Sequence, residues 1–396
     1  MREFDVIVIG AGPAGLRAAK ILAEGNAKVL CIDKKQEIGV PKRCGEGLGL
    51  GWMKRLGLKP DKKWCLQPIT GAALYSPSLK SIEIDDKKTS GYVIERRVFE
   101  KELAKEAAKK GALIRTKCRA FNFERKEGKV IVSCIEQGEH TQYSAPIIIA
   151  ADGTESLAPR RLGLDTKISL NDIDSGYQYE MANISFEKPN FIHLFFGKEV
   201  ANRGYCWIFP KSKTCANVGI GIAGMSQKTA KEYLDRFVES HPGLKNGSII
   251  EVNAGTIPVG GFLEEMTADN LLVVGDAAHQ VNPIHGGGIG IAMEAATIAS
   301  KVALEALRKK DFSREFLSKY NKAWYETRGN KLKKILKQRR MFEALDDDDF
   351  ETLAESITGQ DIMLIAEGDL AASAKMVIKK LVKHPKLAGI MLKYLK

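Results

Sequence analysis

Three glycines and a carboxylate near the start of the chain have the types and spacing to hold a dinucleotide. In Val6-Ile7-Val8-Ile9-Gly10-Ala11-Gly12-Pro13-Ala14-Gly15 a β-branched run leads directly into G-x-G-x-x-G, and Asp33 ends the next apolar run, Lys28 to Ile32. Gly10 permits a tight turn, Gly12 lets a pyrophosphate reach the backbone, and Gly15 lets helix and strand pack closely. The phosphates then face the positive end of a helix, and Asp33 can accept hydrogen bonds from ribose hydroxyls. Ala14 and Lys34 are counted with these as cofactor contacts. A second G-x-G-x-x-G, Gly219 to Gly224, has no acid ending a strand some twenty residues on; Pro242-Gly243 stands there. It reads as a strand end and a turn, so one dinucleotide site is expected.

A second stretch has the same logic. Asn270-Leu271-Leu272-Val273-Val274-Gly275-Asp276 delivers an acid from a strand, and Gly286-Gly287-Gly288-Ile289-Gly290 then opens a helix. Bare, such an aspartate is most often a helix cap. Paired with the N-terminal fingerprint it suits a flavin dinucleotide, which is long enough to need a second anchoring loop. Asp276 would bind the ribityl chain, and the helix start at Gly287, Gly288 and Ile289 would face the flavin pyrimidine, where negative charge collects on reduction.

A third pattern is apolar. On a strand, Tyr205, Trp207 and Phe209 point to one face, and Pro210 follows them. Phe191, His193 and Phe195 share a face of a companion strand, with Ile192, Leu194 and Phe196 on the other. Few polar residues remain to cover either side, and a long apolar chain such as an isoprenoid would use the excess.

These residues need elements to carry them. Phe4 to Ile9, Pro13 to Ala23 and Lys28 to Ile32 read as one βαβ unit; Glu95 to Lys110 as a charged helix; Leu113 to Thr116 as a strand leading to a hairpin; and Pro146 to Ala151 as a further buried strand ending at Asp152-Gly153. Between about Asn171 and Gly261 the period becomes two, interrupted by one helix from Gln227 to Ser240. The remainder is helical, with Asp346 to Asp349 as an acidic break. The expected fold is α/β: a Rossmann-type dinucleotide domain over 1–66, 92–168 and 262–320, an antiparallel-sheet substrate domain over 67–91 and 169–261, and a C-terminal helical region over 321–396.

Composition narrows the partners. The 396 residues carry 61 Lys+Arg against 49 Asp+Glu, for a net charge of +12, and 44% are apolar, which excludes a disordered or collagen-like chain. Seven cysteines include no C-x-x-C pair, so neither zinc nor a disulfide framework is expected and a reducing, cytoplasmic setting is the default. Glycines and Pro13 break the apolar N-terminus where a signal peptide would be continuous, and no apolar run is long enough to span a membrane. The basic excess is concentrated late: Lys301 to Glu343 holds 14 Lys/Arg against 5 acids, and Leu370 to Lys396 holds 7 Lys and no acid. Val377-Ile378, Leu381-Val382, Leu387, Ile390-Met391-Leu392 and Leu395 alternate with lysines as in a basic helix lying on an anionic membrane. Nucleic acid is not expected, because neither a recognition module nor interleaved aromatics are present.

The fingerprint with Asp33, the Ala150-Ala151-Asp152-Gly153 turn followed by Ser156, and the Gly275-Asp276 loop resemble the three motifs of the aromatic-hydroxylase-type FAD proteins. Pro41-Lys42-Arg43-Cys44-Gly45-Glu46-Gly47 and Gly204-Tyr205-Cys206-Trp207-Ile208-Phe209-Pro210 resemble, within that fold, the geranylgeranyl reductases, which use FAD to saturate prenyl double bonds. The resemblance implies FAD as cofactor, held at Ala14, Asp33, Cys44, Gly45, Gly47, Arg96, Ala120, Asp276, Gly288 and Ile289. It implies a geranylgeranyl glycerophospholipid substrate, of the archaeal ether-linked kind, against Tyr205, Trp207, Phe209 and Pro210; the basic C-terminal helices are what point to a protein held peripherally at the membrane. The family commonly has a proline where Asn202 stands here.

An isolated trisubstituted alkene is a poor hydride acceptor, so the site must supply a proton along with hydride from flavin N5. Positive charge would build at the tertiary carbon, where the faces of Tyr205 and Trp207 stabilise it. Cys44, Tyr205 and His285 are the candidate proton donors, and the sequence does not select among them. The electron donor is open between NAD(P)H and reduced ferredoxin. The alternatives are an FAD monooxygenase acting on a hydrophobic substrate and a non-catalytic prenyl-lipid carrier, which would purify colourless. Cys44→Ala and Tyr205→Phe, assayed separately for turnover, test the assignments: loss in either variant is expected, and full activity in both would remove them as donors.

Overall fold

Val6–Ile9, Val29–Ile32 and Ile147–Ala150 are runs in which every residue is buried. Such strands suit the middle of a parallel sheet covered on both faces. They form it: the six-stranded order is Thr267–Ala268, Leu271–Val273, Ile147–Ala150, Val6–Ile9, Val29–Ile32, Leu113–Arg115, parallel except at the first pair. The computed structural model describes residues 1–85, 87–366, 375–376, 379–381 and 383–390. Two units are distinguished. The first comprises Met1–Lys42, Arg96–Ser169 and Ile257–Leu332; the second comprises Arg43–Glu95, Leu170–Thr256 and Lys333–Lys396.

In the first unit, helix Pro13–Glu24 starts directly from the glycine turn, with Gly12 as N-cap and Pro13 in the first position. A side chain at Gly15 would place its Cβ 1.8 Å from the Gly10 carbonyl oxygen, so the close helix–strand approach predicted for this glycine is present. Helix Ile289–Lys309 packs beside it, and a Cβ at Gly25 would meet Leu304 at 2.6 Å. Beyond the expected hairpin, Cys118–Lys126 with Lys129–Glu136, a third strand Glu139–Ala145 and the short Arg2–Glu3 complete a four-stranded sheet.

The second unit is built on a seven-stranded sheet ordered Ser248–Pro258, Ile173–Ala182, Cys215–Ala223, Tyr205–Pro210, Phe191–Phe195, Gly71–Tyr75, Ser81–Asp85. The alternation expected of half-buried strands assigns its two faces. Tyr179, Met181, Phe195, Cys206, Ile208, Val218 and Ile220 form one apolar core with Leu234 and Phe237 of helix Ala230–Ser240. That helix begins three residues later than the sequence suggested, because Thr229 and Glu232 form a complete capping box. The acidic run at 346–349 is likewise a helix start: the Asp346 N–H donates to the Asp349 carboxylate, the Asp349 N–H donates to the Asp346 carboxylate, and the pair caps helix Asp347–Ser356.

Two boundaries differ from the sequence reading. Residues 43–66 fall in the second unit, since Gly47–Gly49 and Cys65–Ile69 both pair with Gly91–Ile94. The helical region is not separate either. From Lys333 onward it belongs with the second sheet, where Arg339 pairs with Asp174 at 2.9 Å and Arg203 with Glu343 at 2.8 Å. Val377, Ile378, Val382 and 391–396, half of the proposed membrane helix, lie outside the described residues. Among the described residues no helix is long and apolar enough to cross a membrane.

Gly15→Ala should destabilise the chain by about 3 kcal/mol, the upper range for overpacking, because helix and strand must separate. Thermal unfolding checks this, and an unchanged melting temperature would mean that the close approach is not required.

Candidate active site

In the first unit the three fingerprint segments meet. A Cβ on Gly10, whose φ is +100°, would lie 2.3 Å from the Ala151 carbonyl oxygen, so the glycine turn rests on the Ala151–Asp152 backbone. Gly275, at φ +70°, sits between the Cβ atoms of Ala14 and Ala292, and the buried Ser156 hydroxyl donates to the Ala277 carbonyl at 3.2 Å. Asp33 accepts from the amides of Ala11 and Lys35, both at 2.8 Å, so its first task is to clamp the turn. Lys34 pairs with Glu155. Ala120 lies at a β-bulge in Cys118–Lys126. Arg96 donates to buried Glu100 at 2.5 Å, and its charge opposes the desolvation that raises the Asp276 pKa. Gly288 caps helix Ile289–Lys309, close to Val281 and the Asp276 carboxylate.

These residues fit a bound FAD. Helices Pro13–Glu24 and Ile289–Lys309 both open on a glycine with no capping side chain and no acid in the first turn. By contrast, Ala230–Ser240 and Asp347–Ser356 have full capping boxes. The long helices therefore leave their positive ends for an anion or a polarised ring. A Cβ on Gly12 or on Gly153 would meet nothing within 4 Å, which is the room a cofactor needs, and Asp152 Oδ1 is buried without a hydrogen-bond partner.

The second unit holds the aromatic face. Tyr205, Trp207 and Phe209 share one side of their strand, with ring centroids 5.8 and 6.2 Å apart in sequence. The second G-x-G-x-x-G explains itself here. Gly219 and Gly221 are mid-strand in Cys215–Ala223, not at a strand end, and a Cβ on Gly219 would lie 2.4 Å from Trp207 Cζ2. They are the floor on which the indole lies. Phe196 extends the row, 5.7 Å from Tyr205, and Phe342 and Phe350 of the C-terminal helices lie 5.5 and 5.9 Å beyond it.

The Cys44–Gly47 segment is tied to this same face. Trp207 Nε1 donates to Gln178 Oε1 at 2.9 Å, and Gln178 Nε2 donates to the Cys44 carbonyl at 3.1 Å. Asn217 Nδ2 donates to the Gly45 carbonyl and to Glu46 Oε2, at 3.2 and 2.7 Å. The Phe209 ring would meet a Cβ on Gly45 or Gly47 at 3.1 or 3.2 Å, so a side chain there would press on the ring and the two glycines let it lie close. Glu46 is fully buried with φ +72°, a left-handed conformation that costs a non-glycine residue about 1–2 kcal/mol. Its carboxylate meets Lys211 Nζ at 3.0 Å, and the same ammonium meets Glu180 at 2.8 Å and Glu95 at 2.9 Å. These charges hold the Lys211 pKa above the usual lysine range against desolvation.

The three proton-donor candidates divide between the units, His285 in the first and Cys44 and Tyr205 in the second. Cys44 is half-buried, and its Sγ accepts the Glu46 N–H at 3.2 Å. Burial, then the charge of Asp174, pushes the Tyr205 phenol up. His285 keeps an exposed edge, its pKa is lowered by desolvation, and its Nδ1 accepts the Gly287 N–H at 3.1 Å.

The model of the geranylgeranyl reductase catalytic domain matches residues 172–257, and that of an FAD binding domain matches residues 5–61. The chain is 39% identical to digeranylgeranylglycerophospholipid reductase 1 of Methanosphaera stadtmanae, covering 100% of this chain and 97% of the relative. The chain belongs to the digeranylgeranylglycerophospholipid reductase family. A second member, from Methanocaldococcus jannaschii, is 41% identical over 96% of this chain and 97% of its own. A geranylgeranyl bacteriochlorophyll reductase-like protein of Thermoplasma acidophilum superposes with a TM-score of 0.90 at 34% identity over the whole of both chains. The fold is the aromatic-hydroxylase-type FAD fold, FAD is the cofactor, and the chain is a flavin-dependent oxidoreductase.

Gln178, Asn217, Lys211 and the glutamates around it escaped the sequence reading. The available signal was polar residues at alternate positions of Ile173–Ala182 and Cys215–Ala223, opposite an apolar face.

Two tests follow from the first unit. Gly12→Ala should leave the melting temperature of flavin-free protein unchanged, since its Cβ meets nothing, yet weaken FAD retention about tenfold or more by filling the pyrophosphate approach; fluorescence titration measures it. Desolvation raises the Asp152 carboxyl to about 6. A folded-state value above the unfolded one means stability is greatest at acid pH and is lost as pH rises toward 6. Asp152→Asn should therefore melt with wild type near pH 4 and above it at pH 7 in the flavin-free chain.

Proposed function

We propose that this chain saturates the double bonds of geranylgeranyl groups on archaeal ether-linked glycerophospholipids. The observation carrying this reading is the row of rings from Phe209 to Phe196, floored by Gly219 and Gly221. A sheet face paved with the half-buried rings of Phe196, Tyr205 and Phe209 around a buried Trp207 suits a long apolar chain, and rings are the one apolar surface that also stabilises a cation.

Bound and reduced, FAD supplies hydride. Gly12, Ala14 and the first turn of Pro13–Glu24 would hold its pyrophosphate; Asp33 and Arg96 would serve its adenosine side, with Ala120 leaving space there; Asp276, Gly287, Gly288 and Ile289 would hold the ribityl chain and pyrimidine. Tyr205 and Trp207 lay their faces along the prenyl chain and stabilise charge at the tertiary carbon once a proton is delivered, while Phe209 and Pro210 bound the chain next to Gly45 and Gly47.

Among the proton donors, Cys44 is favoured. A neutral imidazole whose Nδ1 already accepts an amide has only a very weak acid left at Nε2, and the raised Tyr205 pKa makes its phenol a worse donor than usual. The Cys44 thiol passes its proton to one alkene carbon and is left as thiolate, to be reprotonated before the next bond.

Helix Asn330–Glu343 exposes Lys333, Lys334, Lys337 and Arg340, a basic face suited to anionic headgroups. It supports a peripheral membrane position for the enzyme.

The deciding experiment is anaerobic. Chemically reduced protein is mixed with a geranylgeranyl glycerolipid, and flavin absorbance and product mass are followed together. Reoxidation with a gain of two hydrogens per bond is expected; a flavin that stays reduced until oxygen is admitted would point to a monooxygenase instead. Replacing the four basic residues by glutamine should weaken binding to phosphatidylglycerol vesicles by up to about a thousandfold, at roughly 1 kcal/mol per charge near the surface, and high salt should weaken binding of wild type. Binding indifferent to both would remove the membrane face.

A further inference from the structure

The Glu46 peptide is held in a left-handed conformation both through its backbone, whose carbonyl accepts the Ile94 N–H at 2.8 Å, and through its side chain. At φ +72° the residue gains nothing locally, yet it is not glycine although glycines flank it on both sides. Its fully buried carboxylate is held by Asn217 Nδ2 at 2.7 Å and by Lys211 Nζ at 3.0 Å. Lys211 is fixed in turn by Glu180 and Glu95, which leaves its ammonium little freedom to follow a moving partner. In this conformation the Glu46 N–H points at Cys44 Sγ, 3.2 Å away.

We infer that Lys211 is a positioning residue for Cys44: by gripping Glu46 it holds the backbone N–H against the sulfur. This rests on the reading of Cys44 as proton donor. An N–H directed at sulfur occupies a lone pair, so the S–H hydrogen is turned elsewhere, and it stabilises the thiolate left after proton transfer. The charged groups in and around the segment include the buried Lys42, Arg43, whose stem lies on Gly255, Glu46, Glu95, Glu180 and Lys211. Loss of the lysine both frees the N–H and leaves carboxylates without their cation. Both changes disfavour the thiolate, so they act with one sign.

The test reads the sulfur directly. Full-length FAD-loaded protein is alkylated with iodoacetamide across a pH series, and modification of the Cys44 peptide is followed by mass, with the half-buried Cys65 and Cys215 as internal references. Lys211→Met should slow Cys44 alkylation at neutral pH about tenfold, one pH unit in midpoint, while the reference cysteines are unchanged. Lys211→Arg should restore most of the rate. Lys213→Met, which removes an exposed charge from the same turn, should change nothing. Asn217→Ala, which removes another grip on Glu46 together with the bond to the Gly45 carbonyl, must shift the profile in the same direction, and it carries the test if Lys211→Met does not fold. A wild-type Cys44 profile in these variants overturns the inference. Full turnover by Cys44→Ala alongside a shifted alkylation profile would instead leave the positioning intact and sink the proton-donor reading.

Discussion

The indole of Trp207 lies flat on a strand that carries no side chains beneath it, and much of the second unit follows from that contact. Two glycines in mid-strand are unfavourable for a sheet, since they pack nothing and restrict the backbone at an entropic cost. The compensation is a large ring held close to the backbone, with its N–H satisfied by Gln178. Gln178 then uses its other end to fix the Cys44 carbonyl, so a packing contact on one strand sets the path of a loop more than a hundred residues away in sequence. Phe209 does the same by shape, lying close over two glycines of that loop.

The opposite face of the sheet makes this possible. Tyr179, Ile208, Val218 and their neighbours bury themselves against helix Ala230–Ser240 and provide the apolar core, so the aromatic face need not be fully covered to keep the sheet stable. The first unit solves a related problem with glycine alone. Gly10, Gly15 and Gly275 remove side chains where backbones must touch, whereas Gly12 and Gly153 remove them where nothing in the protein touches. One residue type thus serves two purposes, and only the three-dimensional surroundings tell them apart.

Much of this was legible in the sequence. The strand–turn–helix fingerprint, Asp33 and the Gly275-Asp276 loop were readable because they are local: each motif is contiguous and its period declares its element. The face shared by Tyr205, Trp207 and Phe209 was readable for the same reason. What escaped depends on pairing between distant segments. The glycines at 219 and 221 had the spacing of a phosphate loop, and only the register opposite Trp207 gives them their meaning. Lys211 and its three glutamates come from four separate stretches, so no window of sequence contains them. The acids at 346–349 read as a break in the sequence because an acidic run and a capping box look alike until the helix that follows is seen.

The two uncapped helices have a consequence for how the protein lives in the cell. Amides that no side chain satisfies are left to water until an anion arrives, so the flavin is a ligand of folding as well as of chemistry. Mass action adds roughly 4 kcal/mol to the folded state when free cofactor stands a thousandfold above its dissociation constant, and nothing when it is absent. The abundance of such a chain is therefore coupled to flavin supply: when synthesis outruns the vitamin, the surplus polypeptide is the less stable form and the first to be degraded.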